Sequence, residues 1–295
     1  KLITLEDCLA PGDCDFRFEP APSSEIAFLQ HSSGTTGLKK GVALSHRAVL
    51  QQVEHYTQAL ALAPSDCIVS WLPLYHDMGL IACFLLPVLT DTPVVMIDPQ
   101  EWVVNPKLLF QAIQTHRGTL CWQPNFAFHH LCRTVRPSKE FDLSSMRAWI
   151  DCSEPCRPET FQLFADRFAS IGVTPIQLQV CYAMAESVFA VTQTTLGDHY
   201  RELAADPEHL RREDKVVSPA KEAPTQRLLS AGRPITGMEV RVVNRSGDPV
   251  PDDTVGEITL RSEFLFAGYY RLDEQTKLKL RDGVYFTGDL GFLRE

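Results

Sequence analysis

The chain carries nine cysteines but no Cys-x-x-Cys pair. Cys152 and Cys156 are the one close pair near a motif, and no histidine stands beside them at a zinc-site spacing. A structural zinc site is therefore not expected. The count is odd, and residues Lys1 to Ala10 lack the apolar core of a signal peptide. Both point to reduced thiols packed as small apolar side chains in a cytoplasmic protein without disulfides. No apolar run approaches the length of a membrane span, so no transmembrane segment is expected. Basic clusters of the kind that track a phosphate backbone are missing as well, and the net charge is -9, which argues against nucleic acid as a partner. No internal repeat or low-complexity tract occurs.

What is present is ordinary globular material: 295 residues, 44% hydrophobic and 22% charged, enough for one large core or two. From Ile26 to about Phe189, short apolar runs alternate with amphipathic stretches. Ser45 stands where it can cap a helix whose apolar positions Val49, Val53, Tyr56 and Leu60 follow the helical period. Cys67 to Leu72 reads as a buried strand, His76 to Leu89 as an apolar helix, and Val94 to Ile97 as another strand. Pro106 opens a helix, Thr119 to Gln123 is a strand, and a helix capped by Asn125 follows with Phe128, Leu131, Cys132 and Val135 on one face. Arg147 to Ile150 leads into a helix with Phe161, Phe164 and Phe168 on one side, then into Ile176 to Val180.

This alternation predicts an α/β fold of mainly parallel sheets covered by helices. After about Gly197 the character changes. Residues His199 to Arg227 are charged and weakly patterned, an excursion. Beyond Ser230, the runs Glu239 to Val243 and Glu257 to Arg261, separated by Ser246-Gly247-Asp248, read as a smaller antiparallel β subdomain. The expected division is 1–197 for the α/β core, 198–229 for the excursion and 230–295 for the β-rich part.

The chemistry concentrates in a few segments. Ser32-Ser33-Gly34-Thr35-Thr36-Gly37-Leu38-Lys39-Lys40-Gly41 packs four hydroxyls, three glycines and two lysines between two apolar runs. Such a loop lets backbone N–H groups approach an anion and adds positive charge, which suits a polyphosphate. It is not a Walker A loop, because Lys39 stands where that pattern needs its second glycine. Taken alone, it also reads as a turn with solvated lysines.

Trp71-Leu72-Pro73-Leu74-Tyr75-His76-Asp77-Met78-Gly79-Leu80 places Tyr75, His76 and Asp77 where a strand gives way to a helix, the place where α/β sheets bind ligands. Trp122-Gln123-Pro124-Asn125-Phe126-Ala127-Phe128 makes a similar junction. Asp151-Cys152-Ser153-Glu154-Pro155 and Tyr182-Ala183-Met184-Ala185-Glu186-Ser187 both follow strands, and Tyr285-Phe286-Thr287-Gly288-Asp289-Leu290 lies near the end. On residues alone, Glu186 is a first-turn helix acid, His76 is a structural histidine, and Thr-Gly-Asp is a turn. A His-His-x-x-x-Asp acyltransferase motif is excluded, since His129-His130 is followed by Leu131, Cys132, Arg133 and Thr134.

In this order, from Ser32 to Leu290, these segments resemble those of the adenylate-forming enzymes, and most of all the fatty acyl-AMP ligases. The family usually has proline where Lys39 stands and glycine where Cys152 and Ala183 stand. The resemblance implies that the loop residues Ser32, Ser33, Gly34, Thr35, Thr36, Gly37 and Lys40 hold the phosphates of ATP. It implies that Cys152, Ser153, Glu154 and Pro155 lie against one face of adenine. Tyr182, with Ala183, Met184 and Ala185, would cover the other, and Asp289 would accept the ribose hydroxyls. Glu186 becomes the Mg²⁺ ligand. Tyr75, His76, Asp77, Met78, Asn125 and Phe126 line the acid pocket, with Lys40, Glu186 and His76 as the catalytic set.

The implied reaction joins a fatty acid to ATP as an acyl adenylate, for transfer to an acyl carrier protein thiol. The alternatives are an acyl-CoA ligase, a peptide-synthetase adenylation domain, and a non-catalytic adenylate-binding scaffold. The place and length of the excursion favour the acyl-AMP branch. No acidic residue is evident to grip an amino group, which counts against a peptide synthetase. A whole family member begins before residue 1 and continues past residue 295 into a mobile domain with a catalytic lysine. The chain is thus expected to be a central core that binds adenylate and turns over poorly alone.

Overall fold

The computed structural model describes residues 19–31 and 40–294. The expected phosphate-loop residues Ser32 to Gly37 and Lys39 lie outside the described residues. Two strands flank that segment: β1 (Ile26–His31) and β2 (Gly41–Ser45) pair antiparallel with His31 opposite Gly41. Ser45 then caps α1 (His46–Ala59), its Oγ accepting from the Ala48 N–H at 3.2 Å. The expected stripe of Val49, Val53, Tyr56 and Leu60 is buried.

The central layer comes next. β3 (Ile68–Ser70), β4 (Val94–Met96), β5 (Leu120–Gln123), β6 (Ala148–Cys152) and β7 (Leu178–Ala183) are all mutually parallel where they pair. Their connections carry α2 (Leu86–Thr90), α3 (Pro99–Val104), α4 (Lys107–His116), α5 (Asn125–Thr134) and α6 (Pro158–Phe168). β3, β5 and β6 are wholly buried because helices cover the sheet, whereas the edge strand β4 is only partly so. β8 (Ala190–Gln193) then runs antiparallel to β7.

Within the expected excursion, β9 (Glu202–Ala205) and β10 (Gln226–Leu229) form an antiparallel ribbon with the short α7 (Pro207–Arg212) between them. β11 (Arg233–Pro234) completes a seven-stranded sheet of order β11-β8-β7-β6-β5-β3-β4. The last part is antiparallel: β12 (Glu239–Val243), β13 (Gly256–Arg261), β14 (Gly268–Tyr269), α8 (Asp273–Lys279), β15 (Leu280–Arg281) and β16 (Val284–Gly291). β12, β13, β16 and β15 make a sheet of their own, while β14 crosses back to pair with β2.

Packing follows the sequence pattern. Phe161, Phe164 and Phe168 of α6 are fully buried, each contributing about 2–3 kcal/mol by removal from water. Phe164 meets Phe128 and Trp149 edge-on, with centroids 5.0 and 5.2 Å away. Trp71 and Trp102 stack face to face with centroids 3.6 Å apart and ring planes 5° apart. Every described cysteine is a free thiol, and all but Cys156 are buried. Burial pushes the Cys83 thiol up to about 12 and Cys132 to about 11, so these thiols stay protonated and serve as packing. No helix of the described residues is long and apolar enough to cross a membrane.

The structure corrects some local expectations. The helix expected from His76 to Leu89 is wound as a π-helix over Met78–Leu85 before tightening into α2. Pro124, not Asn125, occupies the N-cap position of α5, and the Asn125 side chain is committed elsewhere. Helix α3 was not anticipated. Asp98 caps it, accepting from the Gln100 and Glu101 N–H groups, and Pro99 occupies its first turn.

Candidate functional site

The site builds around the carboxyl ends of β5, β6 and β7. At the end of β7 the chain makes one tight turn, Ala185–Ser187, that presents Glu186. Val188 then takes φ +68°, a conformation that a β-branched residue adopts only under strain. The turn is pinned from both sides: the Phe266 N–H donates to the Glu186 carbonyl and the Met184 N–H to the Phe189 carbonyl. Glu186 is buried, at 8% exposure. Its Oε1 accepts a hydrogen bond of 2.7 Å from the hydroxyl of Tyr269, which stands 3.3 Å from the hydroxyl of Tyr285. Burial and the Glu186 carboxylate push both phenols well above the ordinary tyrosine range, so both remain protonated donors. Above the Tyr269 ring lies Lys40, its Nζ 4.6 Å from the centroid.

One turn earlier, the Tyr182 hydroxyl donates to Oδ2 of Asp289 at 2.6 Å. Burial, and then this bond, push the Tyr182 phenol upward. Asp289 is exposed in the long strand β16, and its N–H donates to Thr287 Oγ1 at 3.0 Å. The sequence-predicted Lys40, Glu186, Tyr182 and Asp289 thus gather in one place from widely separated parts of the chain.

The β6 end supplies the neighbouring wall. Cys152 is buried, whereas Ser153, Glu154 and Pro155 are exposed along the rim, with Ser153 in the left-handed region at φ +69°. Glu154 Oε2 accepts from the Phe126 N–H at 3.0 Å, which joins the expected adenine segment to the expected acid-pocket segment. Phe126 is half-exposed and lies edge-on to Trp71, with centroids 6.2 Å apart. Asn125 does not face the cleft: its amide donates to Asp151 Oδ2 at 2.6 Å and accepts from Thr160 Oγ1 at 3.1 Å.

Asp151 itself is fully buried. Desolvation raises its carboxyl to about 7, against the opposing pull of the Asn125 bond. Its second oxygen, and both polar atoms of Gln123 on the adjacent strand, have no hydrogen-bond partner among the described residues.

On the β3 side, His76 Nδ1 lies 2.6 Å from Asp77 Oδ1, and the Met78 N–H donates to the same oxygen at 2.8 Å. Tyr75 is largely exposed at 86%, and Met78 is buried. The segment can turn this tightly because Gly79 has no side chain; a Cβ there would sit 2.3 Å from the Pro73 carbonyl oxygen.

Sequence reasoning missed Tyr269 and Thr160 as members of this arrangement, and it quoted Asp151 and Tyr285 within their segments without giving either a role. Gly268-Tyr269 carried the one available signal, a glycine before an aromatic in a short strand, which any core tyrosine could give. A resident metal ion does not fit the donor set: among the described residues no group of three or more His, Cys, Asp or Glu side chains could hold one. Glu186 does offer one carboxylate oxygen, Oε2, that Tyr269 leaves free. A lone carboxylate suits Mg²⁺ that arrives with a nucleotide and keeps most of its ligands from phosphates and water.

The family model described as AMP-binding enzyme matches residues 6–270, and the chain belongs to that family. It is 32% identical over 289 residues to JamA of Moorena producens, a medium-chain-fatty-acid–[acyl-carrier-protein] ligase, covering 92% of this chain and 48% of the relative. To the long-chain-fatty-acid–AMP ligase FadD26 of Mycobacterium marinum it is 31% identical, over 87% of this chain and 45% of the relative. The fatty acyl-adenylate ligase from L. pneumophila, solved with acyl adenylate and pyrophosphate, superposes with a TM-score of 0.88 at 32% identity. That match covers 94% of this chain and 51% of the other. The chain spans about half the length of the curated relatives it matches.

Proposed function

We propose that this chain is the nucleotide- and acid-binding core of an enzyme that activates a fatty acid with ATP. Its carboxylate oxygen attacks the α-phosphorus, the bond to the β-phosphate oxygen breaks, and acyl adenylate and pyrophosphate form. The thiol of an acyl carrier protein then attacks the acyl carbonyl, the bond to the phosphate oxygen breaks, and AMP leaves. The observation that carries this reading is the convergence of Lys40, Glu186, Tyr182 and Asp289 around the end of β7.

In this reading Tyr182 stacks on adenine and Asp289 accepts the ribose hydroxyls, an acceptor with two oxygens meeting two adjacent donors. Ser153, Glu154 and Pro155 border the base, with Cys152 behind them, and Ala183, Met184 and Ala185 form the strand end beneath it. Lys40, with Ser32, Ser33, Gly34, Thr35, Thr36 and Gly37, takes the outgoing phosphates. Glu186 would hold Mg²⁺, which supplies charge neutralisation on the phosphate oxygens when bound. His76 and Asp77 face the reacting carboxylate, while Tyr75, Met78 and Phe126 bound the acid. Asn125 acts from behind, by fixing the start of α5. Residues 1–197, 198–229 and 230–295 are the corresponding units.

The names of JamA and FadD26 support a fatty acid over an amino acid, and that of JamA supports a carrier protein as acceptor. The test is mass spectrometry of products from the protein with its natural flanking segments, supplied with ATP, Mg²⁺, CoA and mixed fatty acids. Acyl-AMP without acyl-CoA is expected. Acyl-CoA as product would replace the carrier protein by CoA. No adenylate at all, or full activity in Glu186→Gln, would overturn the reading.

A further inference from the structure

Tyr269 touches both charged groups at the phosphate end of the site and belongs to neither of the segments that supply them. Its hydroxyl donates to Glu186 Oε1, and its ring face carries the Lys40 ammonium. We propose that Tyr269 is a positioning residue that sets the Glu186 carboxylate and the Lys40 ammonium relative to one another. The inference rests on the roles given above to Glu186 and Lys40.

The chain places this side chain with little freedom. The Tyr269 N–H donates to Thr276 Oγ1 at 2.9 Å, and strand β14 pairs its backbone with β2, Tyr269 opposite Val42. The ring packs against Phe266, centroids 4.9 Å apart, and the residue is only 4% exposed. Gly268 permits the approach, since at φ +148° it passes within 3.0 Å of Thr276 as measured from an added Cβ. A fixed phenol of this kind orients a carboxylate before any ligand arrives. Its bond to Oε1 fixes the direction in which the remaining lone pairs of the carboxylate point.

The ring does a different job. Lys40 is the described end of the loop segment, and a flexible ammonium gains a preferred position over an aromatic face. Tyr269 thus links β14 to Lys40 through its ring and to Glu186 through its hydroxyl. Removing the hydroxyl and removing the ring should consequently have separable effects.

The experiment compares Tyr269→Phe, Tyr269→Leu and Glu186→Asp in the protein with its natural flanking segments. Two quantities are read: Mg²⁺ dependence and ATP KM in pyrophosphate release, and Mn²⁺ binding to the protein with ATP, followed by paramagnetic resonance. Tyr269→Phe should raise half-saturating Mg²⁺ about tenfold and weaken Mn²⁺ equally, in the range known for partners that orient metal ligands, with ATP KM within about twofold. Tyr269→Leu should show the same metal shift and also raise ATP KM several-fold.

Glu186→Asp keeps Tyr269 and the charge but draws the carboxylate away from the hydroxyl. It should reproduce the metal shift even if a Tyr269 variant fails to fold. A fall in kcat with unchanged metal dependence in Tyr269→Phe or Glu186→Asp would overturn the proposal. If the wild-type protein makes no acyl adenylate, the activity reading fails, while Mn²⁺ binding still decides the role of Tyr269.

Discussion

The hydroxyl of Tyr182 and the carboxylate of Asp289, 107 positions apart in the chain, are hydrogen-bonded at 2.6 Å. Each is assigned a separate part of the same nucleoside, so the two groups satisfy one another until a ribose offers its hydroxyls to the same carboxylate. A ligand must replace a charge-assisted bond worth about 1.5–3 kcal/mol. Tyr182→Phe, which keeps the ring and removes the rival donor, should therefore bind AMP at least as tightly as wild type. Asp289→Ala should weaken it about 10- to 100-fold, following the same range of bond strengths. Calorimetric titration measures both, and weaker AMP binding by Tyr182→Phe would show that the hydroxyl itself serves the ligand.

Asp151 makes stability depend on pH. Its carboxyl titrates near 7 in the fold, whereas in the unfolded chain it titrates near the usual aspartate value. Between those values the folded state holds a proton that the unfolded state has released, so stability falls as pH rises from about 4 to 7. The shift sets a ceiling of about 4 kcal/mol on the loss. Asp151→Asn keeps an acceptor for Asn125 and carries no charge. Its melting temperature should gain on wild type as pH rises from about 4 to 7, and exceed it at pH 8. Equal melting temperatures at pH 8 would show that the buried carboxylate is stabilised from elsewhere.

Gly79 should tolerate no side chain. An added Cβ meets the Pro73 carbonyl oxygen at 2.3 Å, a backbone atom with no flexible side chain to yield. Gly79→Ala is expected to cost about 1–3 kcal/mol, as overpacking does, and to displace Tyr75 and His76. Thermal unfolding checks the first, and loss of fatty-acid activation in the flanked protein checks the second.

At the opposite end of the sheet, Arg147 is paired with Asp66, whose side chain is fully buried. Asp66 also accepts from Thr119 Oγ1 at 2.7 Å and from the Ala63 N–H at 2.8 Å. Arg147→Ala strands that charge and should destabilise the fold by about 3–5 kcal/mol. Urea unfolding of the variant against Arg147→Ala/Asp66→Asn should show part of the loss restored.

The elements were legible wherever a single periodicity decided them. Val49, Val53 and Tyr56 on α1 and the phenylalanines of α6 are buried as their spacing requires. The segments proposed to face the nucleotide stood out through their order along the chain, since Tyr182, Glu186 and Asp289 carry functional groups near strand ends. Tyr269 was not legible, because its partner Glu186 lies 83 positions away and its role exists only once β14 has paired with β2. The π winding at Met78–Leu85 was hidden as well: its apolar residues fit an ordinary helix, and only the contact of Gly79 with Pro73 shows how closely that segment is packed. Asn125 misled for a related reason. A short polar residue before a helix suggests a cap, yet a buried carboxylate on the next strand claims its amide.

The stacked pair Trp71 and Trp102 gives the protein an optical signature. Two indoles held 3.6 Å apart with nearly parallel planes couple their excited states, and Phe126, proposed to bound the acid, meets one of them edge-on. Near-ultraviolet dichroism of the unlabelled protein would therefore register any guest that shifts Phe126. Occupancy of the pocket could then be followed before any bond is made.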